Sequence, residues 1–426
     1  MFGKKIMIVT TLFVVIQLLI MPLINSQKID SINLEKELHL QTYSSSYEYG
    51  FNNGKNHRQL YRLIDIIVNF IDKKGLKEEE LSNIIELIET YCPMFLDELK
   101  GLSDSTNIKL ERLISLQHSL YTIFGNKCTT TLSTGNATKN NETFLTQNWD
   151  VNAKGSLFYI LLLRLLSYKI NIVRIKTMNY SYAYIGFPII YELPLFNEMG
   201  LGWGGNGITM TQNQSRHIDN GTGTPIYLLH RYSVMKCKNV SEVAEFWKNA
   251  ERASGISNKW PNSEWDNDAS VYCDKEGGIL AIEQTHNHIA TVFGNQTDIT
   301  NSPEGILWHT NHHLWLDANL TGSIYPGEEN VVSSSFLRAN RARELLVENY
   351  GNITLDVCKN ITRDHDGGLK EGRRDSYDIC AHPDKNGLDT TMISWIIDPK
   401  NYTIYLSHRN PCLSRFVKHD LKYNFR

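Results

Sequence analysis

The chain has 426 residues, of which 41% are hydrophobic and 21% charged, and its formal net charge is -3. That is the composition of an ordinary globular protein, without the basic footprint that nucleic-acid binding requires. The length allows two or three domains.

The N-terminus reads as an address rather than as fold. Lys4 and Lys5 precede an apolar run over 6–20, and Pro22, Asn25 and Ser26 close it. This is the layout of a secretory signal peptide over 1–26, cleaved near Ser26; the length of the run also suits a signal anchor, the rival reading. No later segment has enough consecutive uncharged apolar residues to cross a bilayer. The best, 158–163, stops at Arg164, so no stable membrane span is expected after signal removal.

Two stretches ahead of Cys128 predict helices. In LSNIIELIETY, residues 81–91, Leu81, Ile84, Ile85, Ile88 and Tyr91 share a face opposite Glu86 and Glu89, the spacing of an amphipathic helix. Over 108–121, Leu110, Leu113, Ile114 and Tyr121 share one side, interrupted by Gln117. After Cys128, strand-like runs dominate: 144–148, 157–163, 170–175, 208–212 and 278–283, then 391–398 and 403–407 around the turn PKNY. Amphipathic stretches at 241–253 and 335–350 lie between them. GLGWGGNG, at 200–207, reads as tight turns before a buried strand, because no Gly-Lys-Ser/Thr follows to make a phosphate loop. Strands in succession with helices gathered elsewhere predict an α+β layered architecture. A mostly helical segment over 27–127 and a strand-rich one over 128–426 are expected to pack as one domain.

Eleven Asn-x-Ser/Thr triplets support the secretory route: Asn136, Asn141, Asn179, Asn213, Asn220, Asn239, Asn295, Asn319, Asn352, Asn360 and Asn401,. Seven cysteines in an oxidising compartment leave at least one thiol unpaired within the chain,. Cys128 is singled out by its surroundings, CTTTLSTGNATKNNETFLTQNWD. Two β-prone runs flank a polar middle, which predicts a hairpin whose tip carries Asn136 and Asn141 and faces water. A turn centred near Lys139 sets residue 128 opposite residue 150, so a thiol and the Asp150 carboxylate meet at the base of the hairpin. A core cysteine beside a tryptophan strand accounts for the same pattern without chemistry.

CTTT followed by QNWD resembles the acyl-coenzyme A:6-aminopenicillanic acid acyltransferase-like family, cysteine-type N-terminal-nucleophile (Ntn) hydrolases related to choloylglycine hydrolases. Further segments are similar to that family in the same order: YCPMFLDELKGLSDSTNIKLERLISL ahead of the cysteine, GNGITMTQN at 205–213, WHTNHHL at 308–314, SFLRANRARELL at 335–346, ICAHPD at 379–384 and NPC at 410–412. The resemblance implies an Ntn-hydrolase four-layer αββα sandwich. It also implies cleavage between Lys127 and Cys128, which makes Cys128 an N-terminal nucleophile with its own base. A free thiol has a pKa near ~8.5 and an α-amine one of ~7.7–8.0, so the amine can take the thiol proton without a histidine. By the resemblance, Asp150 holds the amine and Asn213 stabilises the oxyanion. Asn213 is therefore expected to be unglycosylated, whereas the other ten sequons are expected to carry glycans. The family usually has glycine before the nucleophile, the residue that adopts strained turns most easily. Lys127 stands there instead, and a protease acting after lysine is the alternative to self-cleavage.

The remaining candidates carry less. His286, His288, His309, His312 and His313 lack the spacing of a helical zinc motif; they read as structural histidines, and no metal site and no cofactor is assigned. Arg338 and Arg341, three apart on a predicted helix, could bind a substrate carboxylate or phosphate; a solvated helix face is the commoner explanation. The expected function is a secreted or lysosomal amidohydrolase or acyltransferase acting through a Cys128 thioester on a small acylated amine or amino acid. A lipid amidase or phospholipase-B-like hydrolase, and a catalytically silent glycoprotein on the same scaffold, are the alternatives.

Overall fold

The computed structural model describes residues 38–71, 78–123, 126–152, 170–189, 191–208, 219, 223–252, 268–317, 320, 329–366, 375–383 and 389–425. The expected signal peptide, the expected strand at 157–163 and residues 209–212 of the expected strand at 208–212 lie outside these, as do Asn213, Asn220 and Asn319. No helix among the described residues is long and apolar enough to cross a membrane.

Strand β1 (Leu40–Tyr43) leads into helices α1 (Ser46–Ile71), α2 (Glu78–Tyr91), α3 (Pro93–Thr106) and α4 (Leu110–Ile123). The periodic stretches at 81–91 and 108–121 are α2 and α4. Pro93 stands in the first turn of α3, where its missing N–H has no intrahelical partner to lose. Helices α1 and α3 cross at glycines. A Cβ on Gly50 would lie 1.9 Å from the Glu98 carbonyl oxygen, and one on Gly101 would lie 2.2 Å from that of Tyr47.

The rest of the chain builds strands β2 (Asn126–Ser133), β3 (Phe144–Asn152), β4 (Asn171–Ile175), β5 (Tyr182–Phe187), β6 (Tyr191–Asn197) and β7 (Leu201–Gly207). Helices α5 (Ile226–Lys236) and α6 (Val240–Asn249) follow, then β8 (Asp268–Asp274), β9 (Ile279–Gln284), β10 (Ile289–Phe293) and β11 (Ile306–His309). Helices α7 (Glu329–Glu348) and α8 (Leu355–Thr362) precede β12 (Asp389–Asp398), β13 (Thr403–Ser407) and β14 (Val417–Asp420). Two sheets result, one ordered β1-β4-β5-β6-β7-β8-β9-β10 and one ordered β11-β2-β3-β12-β13-β14.

The sheets pack face to face through β2 and β3 against β7. Helices α4, α5 and α6 cover the outer face of the larger sheet, and α7 and α8 cover that of the smaller. The result is a four-layer αββα sandwich, the architecture the resemblance implied. Under α7 and α8 the core is Phe144, Ile306, Trp308, Ala339, Ala342, Leu346, Ile361 and Ile396.

Two expectations are corrected. First, 200–207 is not a set of turns: all but Gly200 is β7, paired with β8 along its whole length. Its glycines lie where the sheets approach. A Cβ on Gly202 would come within 2.9 Å of Ile397 Cγ2, and one on Gly204 within 2.8 Å of Gln147 Oε1 and 3.2 Å of Leu145 Cδ2. Glycine in a strand here serves close contact rather than a bend. Second, the β2–β3 hairpin forms one register away from expectation, with Cys128 opposite Trp149 and Lys127 opposite Asp150. The tip contains a 3-10 turn at Gly135–Ala137, with Gly135 at φ 55°. Register follows the buried face: Thr130 and Gln147, opposite each other, both reach the larger sheet, Thr130 through the Asn206 amide (2.8 Å) and Gln147 through the Gly205 main chain (2.9 Å). A one-residue slip would turn both away.

At the hairpin tip Asn136 and Asn141 are exposed, as are Asn179, Asn295, Asn352, Asn360 and Asn401; Asn239 is half-buried. It caps α6 by accepting the Glu242 N–H at 2.9 Å.

Candidate active site

Cys128 is the third residue of β2 and is 2% exposed. Strand alternation puts its side chain on the face of Thr130, toward the larger sheet. Lys127, Thr129 and Asp150 occupy the opposite face, under α7. The helix delivers Arg338 to that face. Arg338 is 1% exposed, and its guanidinium donates from Nη1 to the Cys128 carbonyl and, at 2.8 Å, to Thr129 Oγ1. Its Nη2 donates to Asn311 Oδ1 at 2.7 Å and its Nε to Ser334 Oγ at 3.2 Å.

Asn311 closes the arrangement. The Cys128 main-chain N–H donates to Asn311 Oδ1 at 3.0 Å, and Asn311 Nδ2 donates to the Gly207 carbonyl at the end of β7 at 2.7 Å. The Asn311 main-chain N–H is held by Ser335 Oγ at 2.8 Å. One side-chain amide thus ties the nitrogen of Cys128, the end of the opposing sheet and the buried guanidinium together. The segment carrying Asn311 is anchored by Glu283 of β9. This carboxylate accepts from His309 Nε2 at 2.7 Å and from the backbone amides of Leu314, Trp315 and Leu316. Burial alone would raise its pKa; these donors and the nearby His309 and His313 outweigh burial and hold it at about 2,.

Asp150 is 1% exposed. Its Oδ1 accepts from Thr391 Oγ1 at 2.6 Å, while Oδ2, also buried, has no hydrogen-bond partner among the described residues. Burial pushes its carboxyl up to about 7, against the pull of the Arg338 guanidinium and the Thr391 hydroxyl. Lys127 forms an ion pair with the buried Asp389 at the same end of the sheet.

Cys128, Asp150, Lys127 and Arg338 therefore gather at one end of the smaller sheet. The thiol and the Asp150 carboxylate lie on opposite faces of it. Asn213 lies outside the described residues. Arg338 is not on a solvated face, whereas Arg341 is half-exposed and paired with Asp364 at 2.9 Å and Glu344 at 2.8 Å. The histidines act within the framework: His309 on Glu283, His312 Nδ1 with Ser335 Oγ at 2.7 Å, and His286 Nδ1 with the Arg252 carbonyl at 2.6 Å. Burial lowers His312 to about 3 and His313 to about 4, so both are neutral. Asn311 is the site residue that sequence reasoning passed over. Its signal was present in the run HTNH, which was matched to a family without a role being given to the asparagine.

A family model described as acyl-coenzyme A:6-aminopenicillanic acid acyl-transferase matches residues 137–412. The match covers well over half of the chain, starts beyond Cys128, and includes Asp150, Asn311 and Arg338. No curated protein matches the chain. Among solved structures, a variant of the conjugated bile acid hydrolase of Clostridium perfringens is 17% identical, with a TM-score of 0.38 over 68% of this chain and 92% of that one. Penicillin V acylase of Agrobacterium tumefaciens is 12% identical, with a TM-score of 0.38 over 70% and 87%.

Proposed function

The chain belongs to the acyl-coenzyme A:6-aminopenicillanic acid acyl-transferase family, and from that premise we propose that it is a thiol amidohydrolase or acyltransferase with Cys128 as nucleophile, matured by a break between Lys127 and Cys128. One observation carries this reading: the main-chain nitrogen of Cys128 already points at an acceptor, Asn311 Oδ1, while Arg338 holds the carbonyl of the same residue. Hydrolysis of the preceding bond turns that nitrogen into an α-amine with its acceptor in place. An α-amine titrates near ~8, close enough to neutrality to accept the thiol proton.

The thiolate then attacks the acyl carbonyl of the substrate. The carbonyl oxygen becomes an oxyanion, for which Asn213 is the assigned donor. Collapse breaks the C–N bond, the leaving amine takes the proton held by the α-amine, and a thioester on Cys128 remains. Water, or a second amine in the transferase direction, adds to the thioester carbonyl and returns the proton to sulfur through the same amine. Asn311 and Arg338 position the nucleophile. Asp150, on the other face, acts through Thr391 and the charge of Arg338 rather than by touching the sulfur. The substrate is a small acylated amine or amino acid, and the compartment is secreted or lysosomal, where the sequons other than Asn213 would carry glycans.

Intact-mass analysis and N-terminal sequencing of the purified protein test the maturation step. Two fragments joined at Lys127 and Cys128 are expected, and Cys128→Ala should yield one uncut chain with turnover of N-acyl amines reduced by about 10³-fold or more. Undiminished turnover in that variant would remove Cys128 from the mechanism.

A further inference from the structure

Away from Cys128, four soft or borderline donors converge. The ligand atoms of His365, Cys380, His382 and Cys412 all lie within 4.8 Å of one another. His382 Nε2 is 3.6 Å from Cys380 Sγ and 3.2 Å from Cys412 Sγ, and the two imidazole rings are 5.2 Å apart. We propose that these residues form a closed tetrahedral zinc site.

Three lines of argument meet here. The first is size. Zinc–sulfur bonds of about 2.3 Å and zinc–nitrogen bonds of about 2.0–2.1 Å give tetrahedral edges of about 3.4–3.8 Å. One sulfur–nitrogen separation, 3.6 Å, falls within that range and the other, 3.2 Å, just below it; the other donor pairs, all within 4.8 Å, reach tetrahedral edges by side-chain adjustments of up to about an ångström. The second is chemistry. Two thiols and two imidazoles are the donor set that selects zinc over hard cations, which prefer oxygen. The third is that hydrogen bonds to the main chain beside the ligands bring them together. The Cys380 N–H donates to the Asp364 carbonyl at 3.1 Å and the His382 N–H to that of Asp375 at 2.8 Å. Asn410 Nδ2 donates to the Ala381 carbonyl at 2.8 Å, and Arg363 Nε to that of Pro411 at 3.0 Å. Segments far apart in sequence are thus fixed side by side with four ligand side chains facing one point. Cys380 is fully buried and the others half-buried, as for a structural site shielded from water.

With four protein ligands the metal has no open position, so its role is to hold this wall. Ala381, between two ligands, donates its N–H to Thr391 Oγ1 at 2.9 Å and accepts the Thr391 N–H at 3.0 Å. The Thr391 hydroxyl in turn donates to Asp150. The metal would therefore brace the strand that holds Asp150. This assignment stands whether or not Cys128 is the nucleophile.

The competing fate of two adjacent thiols in an oxidising compartment is a Cys380–Cys412 disulfide, and the test separates the two. Full-length protein purified without chelator should contain about one zinc per chain by plasma mass spectrometry, as a four-ligand site requires. Cys412→Ser and His382→Ala should each cut that content by about tenfold or more. If either variant fails to fold, wild-type protein still decides: titration of its thiols with an organomercurial should release the zinc stoichiometrically, and cobalt exchange should produce a thiolate-to-cobalt absorption band. A Cys380–Cys412 disulfide in peptide mapping, folded protein without metal, or zinc retained in both variants would each overturn the proposal.

Discussion

Arg338 and Glu283 show how much a single buried charge can organise. Arg338 spends all three of its nitrogens on partners from three segments, and a lysine at that position has one point charge and no fork. Arg338→Lys should therefore lower unfolding free energy in urea by about 2–4 kcal/mol, because it strands acceptors that are buried. It should also slow maturation between Lys127 and Cys128, read as the fraction of uncut chain on a denaturing gel. Glu283 predicts a pH dependence. Its carboxyl is held at about 2 in the folded chain, below its ordinary 4.5. A depressed carboxylate contributes stability that is fully present above the unfolded pKa and is lost as pH falls toward the folded one. Acid unfolding followed between pH 4.5 and 2 should be steep, with this group supplying about 3 kcal/mol. In Glu283→Gln that window should flatten and stability at pH 7 should fall.

At the scale of elements, β7 explains what the sheets require of each other. Gly204 lies over Gln147, whose side chain is already clamped at both ends to Gly205. Gly204→Ala would press a methyl group into that clamp and against Leu145, with an expected loss of about 1–3 kcal/mol in thermal or urea unfolding. The same strand marks where sequence reading stopped. Periodicity revealed α2, α4, β4, β9, β12 and β13 because each has one apolar face or an unbroken apolar run. β7 has neither, since its inward positions are glycines, and propensity reads glycine as a turn. The hairpin was legible from its polar tip, but its register was not, because a long connection fixes no register and the contacts that do belong to the other sheet. Asn311 stayed hidden for a related reason: nothing local in HTNHH tells which of its side chains will meet a strand 183 residues away. The His365, Cys380, His382 and Cys412 quartet is likewise a product of folding, with no spacing that a motif could capture.

At the scale of the whole molecule, the proposed cut after Lys127 raises the question of what would keep the two fragments together. The segment before the cut is woven into the larger sheet rather than appended to it. Its β1 pairs in parallel with β4, Tyr49 donates to Glu192 at 2.6 Å and Tyr61 to the Pro188 carbonyl at 3.0 Å. The firmest link is Arg231 of α5, which grips Glu98 of α3 with two bonds of 2.7 and 2.8 Å, both residues being buried. Burial raises the Glu98 carboxyl while Arg231 pulls it down, so the strength of this pair lies in its two-pronged geometry and in the absence of competing water. The two fragments should therefore co-elute as one species in native gel filtration and separate only in denaturant. Glu98→Ala would strip two charge-assisted hydrogen bonds from the buried Arg231 and leave Glu192, at 3.1 Å, as its carboxylate partner, a change that costs about 1.5–3 kcal/mol. In that variant the cut protein should release its N-terminal fragment at urea concentrations where the uncut chain stays folded. Fragments that part readily in native buffer, with Glu98 intact, would mean that the segment is a discarded leader and that the larger sheet must rebuild its edge without β1.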